Sequence, residues 1–134
     1  MDEFENAMLH QVLSVPELLE EVYPDVEPQV RYVMTTPEIY SVKKVVLTGC
    51  GDGYAACLTA KRTFEKFLQI PIEVVEPLSL SRYYQMKWVG ESPCDPLVIA
   101  FSNSGRVTRV VEAVKRMRLH KAMTIAVTSN PDSP

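Results

Sequence analysis

No apolar run in the sequence approaches the roughly 20 residues that a membrane-spanning helix needs, so no span is expected. Net charge is slight, at −3 over 134 residues, and this leaves no basic excess for nucleic acid to neutralise. Histidine is scarce: His10 and His120 lie far apart, and no CxxC pair stands near either. Zinc sites need clustered donors of that kind, so no metal and no cofactor is expected. The three cysteines, Cys50, Cys57 and Cys94, are an odd number without framework spacing, which fits free thiols in a reducing compartment. The start, Met1-Asp2-Glu3-Phe4-Glu5, is acidic and lacks the positive-then-apolar order of a secretory leader. A cytoplasmic protein is the expectation. At 46% hydrophobic and 23% charged residues, the composition is that of a globular domain long enough to bury a core.

The chain divides near Lys43. Upstream, Pro16, Pro24, Pro28 and Pro37 are expected to chop residues 1–43 into short helical pieces. Ser14-Val15-Pro16-Glu17 has capping-box spacing, with proline in the first turn, and Thr36-Pro37-Glu38 repeats the start signal. Phe4, Met8 and Val12, with Leu9 and Leu13 beside them, form one apolar stripe; Val26, Val30 and Val33 form another. Such stripes need cover, so this segment is read as a helical lead-in packed on the domain or on a partner subunit.

Downstream, residues 44–134 change pattern. Val45-Val46-Leu47-Thr48, Ile72-Glu73-Val74-Val75, Leu97-Val98-Ile99-Ala100-Phe101 and Met123-Thr124-Ile125-Ala126-Val127 read as strands. Their ends recur about every 26 residues, which leaves room for a helix in each crossover. Ala56, Ala60, Phe64, Phe67 and Leu68 line one face of a helix over about residues 53–68. Val107, Val110, Val111, Val114 and Met117 do so over 106–119, where Lys115, Arg116 and Arg118 suit the negative end of the dipole. Residues 79–85 hold room for a short helix before Pro93 and Pro96. The fold class is α/β, a doubly wound parallel sheet of at least four strands.

Ligands of such sheets sit at the carboxyl ends of the strands. After the first strand comes Gly49-Cys50-Gly51-Asp52-Gly53-Tyr54, three glycines that bring backbone N–H groups and a helix N-terminus near an anion. The other reading is a tight corner and nothing more, with Asp52 capping the helix. After the third strand comes Ser102-Asn103-Ser104-Gly105-Arg106, hydroxyl and amide donors of the sort phosphate oxygens accept from. Serine and asparagine are also ordinary caps. Arg106 and Arg109 fall in the expected first turn, where a cation opposes the dipole by about 0.3–1 kcal/mol and a bound anion would offset that. A dinucleotide fold is the rival reading, with Glu76 as its ribose acid, but Tyr54 stands where that fingerprint packs glycine or alanine.

Together the loops resemble the SIS (sugar isomerase) family of phosphosugar isomerase and phosphosugar-binding domains, whose strands end in G-C-G-T-S-Y or G-C-G-D-S-Y and in S-Q-S-G-E-T or S-N-S-G-E-T. Ile70-Pro71-Ile72-Glu73-Val74 looks like its I-P-V-E-V stretch, and the segment from Glu76 to Tyr83 like its E-x-x-S-x-x-R-Y. Ala126-Val127-Thr128-Ser129-Asn130-Pro131-Asp132-Ser133 is similar to its strand and turn I-T-N-x-P-x-S. The upstream helices look like the lead-in of glucosamine-phosphate synthase isomerase domains. The resemblance implies a helix-covered, usually five-stranded sheet that binds a sugar phosphate. It implies phosphate ligands at Ser102, Asn103 and Ser104, a wall of backbone around Gly51 and Gly53, and pairing as a dimer or with a second SIS domain.

Three positions depart from the family pattern. Gly53 stands for a serine, Asp52 sets a carboxylate near the anion, and Arg106-Val107 replaces Glu-Thr. Arg106 and Thr108 are the candidate substitutes for the missing donors. Aldose–ketose interconversion needs a proton-shuttling base and a ring-opening acid, and in related isomerases these lie later in the chain or in a partner. Pro134 falls where the family continues into another helix and strand, so the domain is expected to be incomplete. Glu38 and His10 are the acid/base candidates outside the loops, and both read better as surface residues. No catalytic residue is assigned. Two functions stay open: the first SIS half of an isomerase or deglycase-like phosphosugar enzyme, and a non-catalytic sugar-phosphate sensor.

Overall fold

The computed structural model of the chain describes residues 6–89 and 96–134. Phe4, Pro93 and Cys94, all used in the sequence reading, lie outside the described residues. The chain forms two compact units, Met1–Ile39 and Tyr40–Pro134.

The first unit corrects the expectation of short pieces. One helix, α1 (Ala7–Val30), runs through Pro16, Pro24 and Pro28. The prolines are spaced by multiples of four, so they stand within one sector and each removes a single ladder bond. The other sides keep their bonds, and Leu- and Glu-rich turns favour helix. Asn6 caps it, its side chain accepting from the Leu9 N–H at 3.3 Å. The expected capping box at Ser14 does not form; its hydroxyl instead donates back to the Gln11 carbonyl. Val33 falls beyond the helix. The second start signal does hold, one residue early: α2 (Thr36–Ser41) follows Thr35, whose N–H and hydroxyl each donate to Glu38 at 2.7 Å. Those bonds, the backbone one first, hold the Glu38 carboxyl below its ordinary range. Glu38 is therefore a cap.

In the second unit all four expected strands form: β1 (Val45–Gly49), β2 (Ile72–Val74), β3 (Leu97–Phe101) and β4 (Met123–Val127). They pair in parallel in the order β2-β1-β3-β4. The order reverses between β1 and β3, and there the crevice of a doubly wound sheet opens. Every residue of β1 is buried, as a near-continuous apolar run covered on both faces should be. On one face Val46 and Val98 pack with Leu80, Ala113, Met117 and Ala122 from α4 (Pro77–Arg82), α5 (Thr108–Leu119) and the turn after it. Burying Leu80 or Met117 fully is worth about 1.5–3 kcal/mol each. Right-handed crossovers put α3 (Asp52–Leu68) on the other face.

Two helix faces differ from expectation. In α3 the buried residue is Cys57, with Ala60 and Phe64 half-buried, while Ala56, Phe67 and Leu68 are exposed. The buried stripe is thus turned about 100° at its start, because Cys57 packs as a small hydrophobe. That burial pushes its thiol up to about 11, which makes it inert. In α5 the core positions are Val110, Ala113 and Met117, and Ala113 had passed unnoticed among larger valines.

Arg116 also does something other than complement its own helix. Its guanidinium donates to the carbonyls of Leu80 (2.9 Å) and Tyr84 (3.2 Å), satisfying the open C-terminal end of α4. At the amino end of the sheet, Lys44 donates to Tyr84 and pairs with Glu73, and Tyr84 donates to Glu73. Partial burial pulls the Lys44 pKa down, but the bonds to Glu73 and Tyr84 outweigh it and the net shift is upward. Burial, helped by Glu73 and opposed by Lys44, likewise raises Tyr84.

Arg116→Ala should cost about 1.5–3 kcal/mol through the two orphaned carbonyls, read as a lower urea midpoint with unchanged slope. Both raised groups favour folding while protonated. Their contribution should therefore be whole at neutral pH and disappear as pH climbs past the ordinary tyrosine and lysine values of 10.0 and 10.5. Alkaline melting of Tyr84→Phe should show a shallower fall than the parent; an identical profile would contradict this.

Candidate functional site

The β1 loop turns tightly. Gly51 takes a φ of +55°, which an L side chain rarely adopts, and it stands as the N-cap of α3. Asp52 is the first helical residue, and no side-chain bond caps this end. Of the N–H groups expected to face an anion, that of Gly53 is already spent on the Cys50 carbonyl at 3.0 Å. Gly53 matters for a different reason: a Cβ built there would sit 3.0 Å from the Phe101 carbonyl oxygen. The absence of a side chain lets the β1 corner press against the tip of β3.

The β3 loop is knitted to the segment after β4. The Ser102 N–H continues the ladder to Val127. The Asn103 carbonyl accepts from the Ser129 N–H (3.1 Å), the Ser129 hydroxyl (2.7 Å) and the Thr128 hydroxyl (3.1 Å). The Asn103 side-chain oxygen lies 2.6 Å from the same Ser129 hydroxyl and shares its single proton with the carbonyl. Asn130 donates to the Ser104 carbonyl, and the Ser104 hydroxyl accepts from the Arg106 N–H. Against this network one group stands out. Among the described residues, the Ser102 hydroxyl is buried and has no hydrogen-bond partner, and the same holds for Thr48 on the same face.

Arg106 does not stand in the first turn as expected. Val107 is the N-cap and α5 begins at Thr108, so Arg106 lies outside the helix and is exposed. Arg109, in the first turn, faces a cleft instead. Two concavities open near these loops, and their linings share no residue. One, about 250 Å³, lies between the β1 loop and the start of α4 and is lined by Cys50, Gly51, Tyr54, Glu76 and Arg109. The other, about 110 Å³, lies between α5 and β4 and is lined by Ser102, Gly105, Val111, Thr128 and Ser133 among others. The structure thus brings Gly53 against β3 but sets Gly51 and Ser102 into two separate hollows rather than one shared cup. Asn103, Ser104 and Thr108 are exposed at the same edge. The sequence reading missed Thr128, Ser129 and Asn130 as supports of the β3 loop, though their place directly after a strand was the available signal. His10 is exposed on α1, in the other unit.

The SIS domain model matches residues 38–134. The chain belongs to the SIS family. Among its relatives, the isomerizing glutamine–fructose-6-phosphate aminotransferase of Mycobacterium leprae is 30% identical over 100 residues, which are 75% of this chain and 15% of that protein. The SIS chain here thus spans a small part of the length of such curated relatives. The C-terminal domain of glucosamine-fructose-6-phosphate aminotransferase from Francisella tularensis superposes with a TM-score of 0.73 at 17% identity, covering 98% of this chain and 37% of that one. The tagatose-6-phosphate ketose/aldose isomerase of Escherichia coli gives 0.61 at 16%, over 87% and 31%. At such identities these superpositions establish the SIS fold alone.

Restoring the family hydroxyl with Gly53→Ser should destabilise this SIS domain by about 1–3 kcal/mol, because the new Cβ crowds a backbone oxygen. Thermal melting checks it. A gain in stability would mean the strand tips are not in close contact.

Proposed function

We propose that this chain binds a phosphorylated sugar, with the phosphate held over the Ser102-Asn103-Ser104-Gly105 loop at the mouth of α5. In this reading it is the first SIS half of an isomerase or deglycase-like enzyme, working beside a second SIS unit in a cytoplasmic dimer. The observation that carries it is the Ser102 hydroxyl. A buried hydroxyl without a partner costs stability, about 1–3 kcal/mol, and at Ser102, which lines a hollow as Thr48 does not, a ligand phosphate would supply the missing bond. Membership of the SIS family supports the ligand class, and names such as tagatose-6-phosphate isomerase among similar structures point the same way. The N–H groups of Thr108 and Arg109, ahead of the first α5 bonds to the Val107 carbonyl, add donors and a positive dipole end.

Proton transfer between sugar carbons needs more than this chain offers. Among the described residues lining the two hollows, Glu76 is the one carboxylate, and no histidine is present. In this reading the ring-opening acid, and a base if Glu76 does not serve, are supplied by another segment or another copy. A sensor without catalysis is the second reading, favoured by Gly53 and Val107, which remove two hydroxyls from the family pattern. Exchange of solvent deuterium into fructose 6-phosphate by the full protein separates the two: incorporation supports the enzyme, and binding without incorporation supports the sensor.

Fructose 6-phosphate should raise the melting temperature where fructose does not. Ser102→Ala should leave the unliganded protein as stable as before or slightly more so, since it deletes an unsatisfied group, yet abolish the phosphate-dependent shift. Ser104→Ala should weaken that shift. A shift retained in Ser102→Ala, or one given equally by fructose, would sink the reading.

A further inference from the structure

We propose that Arg109 selects sugar phosphates that carry a carboxylate at the end remote from the phosphate; this rests on the phosphosugar reading and names the ligand more narrowly. The hollow beside the β1 loop supplies the room. At about 250 Å³ it falls below the roughly 300–1,000 Å³ of pockets that enclose a whole drug-sized ligand, so it suits one end of a hexose chain. Its two charged walls come from different elements, Glu76 before α4 and Arg109 on α5.

Arg109 is not there for the helix. It is the second residue of α5, where a cation opposes the dipole by about 0.3–1 kcal/mol. Glu112 offsets this, but its Oε2 accepts from both Arg109 Nη1 (2.9 Å) and Arg82 Nη2 (3.2 Å). One carboxylate between two guanidiniums leaves the trio with a net charge of about +1. The Glu112 contact engages Nη1, and the planar fork carries further donors matched to a carboxylate.

Glu76 decides which anion fits. A second phosphate brings nearly two negative charges and meets repulsion from the opposite wall, whereas a carboxylate brings one, matching the surplus on the arginine side. The sugar hydroxyls between the two ends donate to Glu76. The phosphate stays on the β3 loop, which leads into the same helix that carries Arg109.

The test compares 6-phosphogluconate with glucitol 6-phosphate by calorimetric titration of the whole chain. Both have the same phosphate and differ at the far carbon, carboxylate against hydroxymethyl. The parent should prefer 6-phosphogluconate by about tenfold, the order of one charge-assisted bidentate contact. Arg109→Gln should erase the preference while keeping glucitol 6-phosphate within about twofold, a result that also shows the variant is folded. Glu76→Gln should widen the preference. Equal binding of the two ligands by the parent overturns the proposal and leaves phosphosugar binding standing. Equal weakening of both by Arg109→Gln also overturns it, and makes Arg109 a phosphate contact. A parent that binds neither ligand removes the phosphosugar reading, and this proposal with it.

Discussion

The pairing of β1 with β3 is the contact on which everything else in the second unit depends. Because the chain order reverses there, the crossover helices leave to opposite faces, and no helix closes the gap above the two strand tips. The close fit at those tips is set by Gly53 against the Phe101 carbonyl. A Cβ at position 53 would meet that oxygen at 3.0 Å, so one of the two tips would have to give by a few tenths of an ångström. The buried length of β1, apolar throughout up to Thr48 and Gly49, holds that register against slippage.

Around this pair, the polar bonds separate into support and vacancy. Thr128, Ser129 and Asn130 satisfy the backbone of the β3 loop, so the loop is shaped before any ligand arrives, and binding need not supply that ordering entropy. Ser102 and Thr48 are left without bonds in the same neighbourhood. At the opposite edge, Lys44, Glu73 and Tyr84 bond to one another. Arg116 closes α4 in the same self-contained way. The site proposed above rests on this contrast: among the described residues, the buried hydroxyls without partners lie toward the carboxyl edge of the sheet.

Glu112 shows how a surface charge pattern acquires direction. Placed between Arg82 and Arg109, it restrains two cations without neutralising them, and so positive charge persists at the rim of a hollow whose other wall is acidic. Nothing in the linear order of Arg82, Arg109 and Glu112 announces this, since Arg82 and Glu112 lie 30 residues apart and are brought together by the packing of α4 against α5.

The four strands were legible because a buried parallel strand needs an uninterrupted apolar run, and that need is local to five or so residues. The two loops were legible as loops for a like reason: glycine and serine clusters directly after a strand mark a turn into the next helix. Reading failed where neighbours in space decided. Prolines in α1 looked like breaks because each costs a local bond, while the helix is sustained by bonds on its other sides. The α3 face was misjudged because Ala56 and Cys57 are nearly equal in size, and only the sheet beneath selects between them. By itself, then, the sequence determined strands, crossovers and the two loops. Which hydroxyl stays without a partner, which arginine faces a hollow and which one caps a distant helix were settled only by tertiary packing, because each depends on groups some 30 or more residues away along the chain.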